Sequence, residues 1–163
     1  MTTDNEARLL EVAERLRAGQ TIPADEVADI TGVSHDFTAK VLQIHWDSFA
    51  LDKVEAHIEV DERLHQPFGI VHGGVWCSIV ESLGSVGAGL HVIGTGKTVV
   101  GVGNSTNFIR AHRTGRVDAV ATPVHIGRTQ QLWKIDITRA EDGKLLAQGN
   151  LRAQNVEPVQ VGA

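Results

Sequence analysis

The chain has no tyrosine, four phenylalanines, three tryptophans and one cysteine among its 163 residues. A lone cysteine excludes an internal disulfide, and the apolar neighbours of Cys77 fit a buried thiol in a reducing compartment. No charged residue close to it in sequence would favour a reactive thiolate. Long hydrophobic runs are also missing. The most apolar stretch is broken by Glu81 and several glycines, well short of the roughly 20 residues a membrane span needs. The start, Thr2-Thr3-Asp4, lacks a basic-then-apolar signal pattern, so a cytoplasmic location is expected. Basic residues are scarce in the first third. Residues 1–48 hold four Lys/Arg (Arg8, Arg15, Arg17, Lys40) against nine Asp/Glu, whereas the remainder balances. Neutralising phosphates needs a basic face, so nucleic acid is not an expected partner of this segment.

What is present suffices for one compact domain with a short extension, since 42% of the residues are hydrophobic. Residues 5–18 predict an amphipathic helix, with Leu9, Val12, Ala13 and Leu16 at helical spacing and Gly19 as its stop. A second helix is expected from Pro23, capped by Thr21, to Gly32, and a third over 36–43. Residues 26–42 resemble a weak helix-turn-helix. Its reading helix would present Asp36 and a single basic residue, Lys40, which favours plain helical packing over DNA binding.

From residue 50 the period changes to two. Val54, Ala56, Ile58 and Val60 alternate with Lys53, Glu55, His57 and Glu59, as in a strand with one buried face. The apolar segment from about Gly74 to Leu90 is too long for a strand and predicts a buried helix, with small residues that let it lie close to a sheet. Four strands are expected after it, over 98–110, 116–126, 130–139 and 144–155, in a meander. Arg113-Thr114-Gly115 and Glu141-Asp142-Gly143 serve as turns, and Pro123 marks a bulge or an edge. The order describes an α+β fold, an antiparallel sheet wrapped around one long helix.

Within this pattern Glu81 is the single formal charge between Arg63 and Lys97. An isolated carboxylate loses several kcal/mol of hydration on burial unless it is paired or protonated. Such an acid either belongs to a structural polar network or is kept for chemistry. It follows Gln66-Pro67-Phe68-Gly69-Ile70-Val71-His72-Gly73-Gly74, with Ser85 one turn further on. These residues resemble the hotdog-fold thioesterases, in particular the branch with a glutamate on the central helix: the Arthrobacter-type 4-hydroxybenzoyl-CoA thioesterase family with its phenylacetate- and menaquinone-pathway relatives. The resemblance covers about residues 45–155 and implies a 1–44 helical extension, a 45–157 hotdog domain and a 158–163 tail.

The chemistry also reads from the residue types. Attack on a thioester carbonyl creates an oxyanion, and an N–H at a helix N-terminus, here that of Gly73, is a suitable stabiliser. Glu81 could attack as a nucleophile or act as a general base on water. Eight residues separate the two, roughly 12 Å along a helix, so one carbonyl cannot meet both in one chain. Two antiparallel copies across a two-fold axis would bring Gly73 of one opposite Glu81 of the other. A homodimer with shared sites is therefore expected, and the resemblance extends this to a tetramer, a dimer of dimers.

By resemblance Gln66 and His72 orient and polarise the thioester, and Ser85 positions the acid or the water. His72 could equally be a helix cap, and Gln66 and Ser85 could simply satisfy nearby backbone groups. Two cationic clusters could meet the phosphates of an acyl-CoA substrate: Arg110, His112, Arg113 and Arg116, and the turn Gly127-Arg128-Thr129. Phe68 and Trp76 flank the motif as candidates for an acyl pocket and hint at an aromatic or compact acyl group; Trp46 and Trp133 are further candidates. Gly101-Val102-Gly103 lies inside a strand and is no phosphate loop. No histidine set has a defensible ligand spacing, so no metal is expected, and no cofactor beyond the coenzyme A of the substrate. The alternative is an acyl-CoA-sensing transcriptional regulator whose N-terminus reads DNA.

Overall fold

The computed structural model describes residues 3–27 and 37–158. Helix α1 (Thr3–Arg17) ends at Gly19, whose φ of 80° suits the left-handed position that closes a helix. Strand β1 (Ile22–Pro23) and a 3-10 turn (Ala24–Glu26) follow. Pro23 therefore ends a strand instead of opening the expected helix: its ψ of 143° is extended. Residues 28–36, which hold half of that helix and about half of the helix-turn-helix candidate, lie outside the described residues. The expected third helix is reduced to a π-helical turn (Thr38–Leu42), terminated by Gln43 at φ 53°.

Then come β2 (His45–Phe49), β3 (Val54–Val60), a 3-10 turn (Glu62–Leu64), α2 (Gly73–Leu90), β4 (Thr98–Phe108), β5 (Gly115–Ile126), β6 (Gln130–Arg139) and β7 (Leu145–Val156). All neighbours in the seven-stranded sheet are antiparallel, in the order β1-β2-β3-β5-β6-β7-β4. Two expectations are corrected. Strand β2 carries an extra pairing that its polar sequence, His45-Trp46-Asp47-Ser48-Phe49, hides. The last four strands do not meander in sequence order, because β4 pairs with β7 at the far edge while β5 inserts beside β3. A strand that follows a long crossing helix need not join the strand before it. The bulge expected at Pro123 is present, as the β5–β6 register shifts between Pro123 and His125.

The sheet curls around α2. Ile79, Val80 and Leu83 are buried with Trp133, Ile135, Ile137 and Leu151. Close approach requires small residues on α2: a Cβ at Gly84 would lie 2.6 Å from Leu151, and one at Gly87 2.7 Å from Trp133. Trp133 is thus core, its Nε1 donating to Gln131 Oε1, while Trp46 packs at the core margin beside Phe49. Among the described residues no helix is long and apolar enough to cross a membrane.

Candidate active site

His72 caps α2, its Nδ1 accepting from the Gly74 N–H at 2.9 Å. An accepting Nδ1 places the proton of the neutral ring on Nε2. The His72 carbonyl takes the Val75 N–H, whereas the Gly73 N–H meets no acceptor among the described residues. That donor stands at the positive end of an 18-residue helix. A side chain at Gly73 would strike the Phe108 ring of β4, 2.6 Å from its would-be Cβ.

Gln66 is fixed by the turn that precedes the helix. Its Oε1 accepts the Phe68 N–H at 2.8 Å, and its backbone bonds both Ile70 and Gly69. With Oε1 committed, the amide's N–H groups remain as donors. Gln66, Gly73, Trp76, Phe108, Arg110 and His112 share a cavity of about 270 Å³. Trp76 reaches it from the core, but Phe68, 83% exposed, is not among its lining residues.

Glu81 stands half-buried in the middle of α2, facing β4. Asn104 Nδ2 donates 3.0 Å to Glu81 Oε2 and 3.0 Å to the Cys77 carbonyl, and Thr106 Oγ1 donates 2.8 Å to Asn104 Oδ1. The hydroxyl fixes the orientation of the amide, and the amide fixes one carboxylate oxygen. The other, Oε1, lies against Gly101, where any Cβ would collide with it. Here the β4–β7 register shifts between Gly101 and Gly103, so the glycines dismissed as a phosphate loop form a bulge that makes room for the carboxylate. Ser85 lies half-buried one turn beyond Glu81 and makes no side-chain hydrogen bond among the described residues.

Sequence reasoning missed Asn104, Thr106, Gly101 and Phe108. A polar run, Asn104-Ser105-Thr106-Asn107, inside a strand was their available signal.

The cationic clusters sit at opposite ends of α2. Arg113 Nη1 donates to the Gly69 carbonyl and Arg110 Nη1 to the Leu145 carbonyl, both near the Gly73 end. Arg116 instead pairs with Asp118 at 2.7 Å, away from the cavity. The Gly127–Thr129 turn is tied by Asn155, which accepts from Gln131, whose Nε2 also reaches the Ala88 carbonyl in the last turn of α2. Gly127 cannot carry a side chain, because a Cβ would lie 2.8 Å from the Gln130 carbonyl oxygen. Arg128 and Thr129 are exposed. Among the described residues no group of three His, Cys, Asp or Glu is placed to hold a metal ion.

Residues 68–146 match the model of the thioesterase superfamily. A thioesterase from Haemophilus influenzae superposes with a TM-score of 0.76 at 33% identity, covering 89% of this chain and 98% of its own. The 1,4-dihydroxy-2-naphthoyl-CoA hydrolase of Escherichia coli K12 is 40% identical over 68% of this chain and 79% of its own length. A proofreading thioesterase, EntH, of Cronobacter turicensis is 42% identical over 59% of this chain and 69% of its own. These relatives are enzymes and lend no support to a DNA-binding regulator.

Proposed function

The chain belongs to the thioesterase superfamily, and from that premise we propose that it hydrolyses an acyl-CoA at a site shared between two copies of itself. It is a thioester hydrolase by family. One observation carries the shared site: Gly73, with its unbonded N–H, and Glu81 lie on the same helix. At about 1.5 Å per residue they are roughly 12 Å apart, and both face β4 at the open edge of the sheet. A two-fold axis beside that edge would oppose the Gly73 of one copy to the Glu81 of the other, making two identical sites.

In this reading the Gly73 N–H and the Gln66 amide donate to the thioester oxygen, and the negative charge that develops there is met by the helix end. His72 Nε2 adds a donor beside them. Glu81 Oε1 either attacks the carbonyl carbon, giving a mixed anhydride and coenzyme A thiolate, or takes a proton from an attacking water. Ser85 offers a hydroxyl to that water or to the acid. In a single turnover in ¹⁸O water, label found in Glu81 marks the anhydride route with water attacking the Glu81 carbonyl, because general-base hydrolysis leaves the Glu81 oxygens in place. The coenzyme A phosphates would meet Arg110 and Arg113 of one copy and the Gly127-Arg128-Thr129 turn of the other. A compact acyl group, aromatic ones included, fits the cavity lined by Trp76 and Phe108. Association of two dimers into a tetramer and a cytoplasmic location complete the proposal.

The test is Glu81→Ala, read as thiol release from acyl-CoA. Removing the base or nucleophile should lower kcat by about 10²–10⁴-fold with the fold retained; undiminished turnover would sink the proposal. Mixing Glu81→Ala chains with Gly73→Val chains should restore part of the activity in hybrids. No recovery despite demonstrated chain exchange would refute shared sites.

A further inference from the structure

Pro67 and Phe68, at the tip of the turn that carries Gln66, are both exposed, so packing does not anchor that tip. Its order comes from hydrogen bonds. Within the turn the Gln66 N–H donates to the Ile70 carbonyl, the Gly69 N–H to the Gln66 carbonyl and the Phe68 N–H to Gln66 Oε1. Three further bonds tie the segment to residues 112–113, just past β4. The Val71 N–H donates 3.0 Å to the His112 carbonyl, His65 Nε2 donates 2.6 Å to the Arg113 carbonyl, and Arg113 Nη1 donates 2.8 Å to the Gly69 carbonyl.

These three links are not equivalent. Any residue at positions 112 and 113 would offer the two carbonyls, whereas the bond to Gly69 needs the Arg113 side chain and is the one of the three that reaches the tip. Gly69 sits at φ 69°, the left-handed region that glycine favours, and a Cβ there would lie 3.1 Å from Arg113 Nη1, so the guanidinium rests close over the turn. Holding Gly69 holds the backbone next to Phe68, whose N–H fixes Gln66 Oε1. The amide is planar, so fixing its oxygen also fixes the direction of its N–H groups. The bond to Gly69 uses one of the five N–H donors of the guanidinium and leaves the others available to a phosphate.

Resting on the reading in which the Gln66 amide donates to the thioester oxygen, we propose that Arg113 is a positioning residue that acts through Gln66. The guanidinium locks the Gly69 carbonyl, and with it the turn that aims the amide. A donor directed at developing charge works within a narrow range of distance and angle. A turn released at Gly69 therefore slows the reaction even though the amide is still present. This role does not depend on the substrate's phosphates, which separates it from the phosphate contact assigned to the same side chain above.

The experiment measures kcat/KM on benzoyl-CoA and on benzoyl-N-acetylcysteamine, a thioester without phosphates, in the full-length wild type, Arg113→Met, Gln66→Ala and the double variant. Methionine keeps an unbranched apolar stem at this exposed position and removes the donors. Arg113→Met should lose about tenfold on both esters, and less than about twofold more where Gln66 is already alanine. His65→Leu, which releases Arg113 at its carbonyl, should lose severalfold on both esters with the same dependence on Gln66, and it decides the matter if Arg113→Met does not fold. A loss confined to benzoyl-CoA would make Arg113 a phosphate contact alone and overturn the proposal. So would an equal loss with and without Gln66, the mark of a merely structural residue. If Gln66→Ala loses activity while Arg113→Met does not, the role given to Gln66 survives and this proposal alone falls. If Gln66→Ala is as active as wild type, or wild type hydrolyses neither ester, both fall.

Discussion

The two edges of the sheet are built in opposite ways. At one end β1 is two residues long, with Ile22 fully buried and Pro23, which has no N–H to offer, at its end. At the other β4 runs for eleven residues, and Val100, Val102 and Phe108 are 45%, 39% and 58% exposed. A short edge ending in proline resists pairing; a long apolar edge invites it. The inviting edge is the one that touches the candidate chemistry, since Phe108 covers Gly73, Asn104 holds Glu81 and the bulge at Gly101 accommodates its carboxylate. In the proposed shared-site reading, exposure of this strand in a single chain is the physical counterpart of a site that one chain leaves incomplete.

Charging each edge in turn breaks the comparison most severely. Lysines at Val100 and Val102 would have to be desolvated in a pairing of two β4 strands, at several kcal/mol each. Assembly and turnover should fall together by about 100-fold or more, read by light scattering and thiol release. Pro23→Lys, at an exposed position on the blunt edge, should leave both within about twofold, as surface substitutions typically change stability by about 0.5 kcal/mol or less. A monomeric Val100→Lys/Val102→Lys chain with full turnover would refute the link between the open edge and the site.

Within the open edge, Asn104 is the next point to test. Removing a hydrogen bond to a charged group costs about 1.5–3 kcal/mol, so Asn104→Ala should lower kcat by roughly 10- to 100-fold with little change in KM. Thr106→Val leaves the amide in place but frees its orientation, and a loss of severalfold is expected. A rise in KM at constant kcat in Asn104→Ala would instead make Asn104 a substrate contact.

The sequence made one half of this comparison legible and concealed the other. Glu81, Gly73 and Gln66 announce themselves because a lone acid in an apolar helix, a glycine pair at its start and a glutamine before them are unusual residues in their settings. Helix α2 and strands β5 to β7 follow from clear periodicity and turns. The place of β4 does not, because pairing partners of a strand are set by the curl of the sheet around α2, and local pattern contains no record of that. Asn104 was hidden for the same reason: its partner Glu81 is 23 residues away and meets it only once β4 lies along the helix. Strand β2 failed for a different reason. Both of its faces carry polar side chains, so its period of two is faint.

The smallest expected effect lies just beyond the end of β4, at His112. The residue is 6% exposed, its Nε2 finds no hydrogen-bond partner among the described residues, and its carbonyl holds the Val71 N–H beside the Gly73 cavity. Burial pushes the imidazole below its ordinary range, against a backbone hydrogen bond with Gly115 that raises it; Arg139 adds to the lowering and Asp142 opposes it. The folded state therefore keeps this ring neutral at pH values where the unfolded chain has already taken up a proton. Stability should be unaffected by this group above about pH 6.5 and decline as the pH falls from there to the depressed native value, by at most about 1.4 kcal/mol per pH unit. In His112→Leu the fall in unfolding midpoint between pH 7 and pH 5 should be shallower than in wild type. Glu81→Ala serves as the contrast, because His112 keeps its burial there and the wild-type slope attributable to it should persist. Equal slopes for wild type and His112→Leu would show that this histidine does not weaken the Gly73 end in acid.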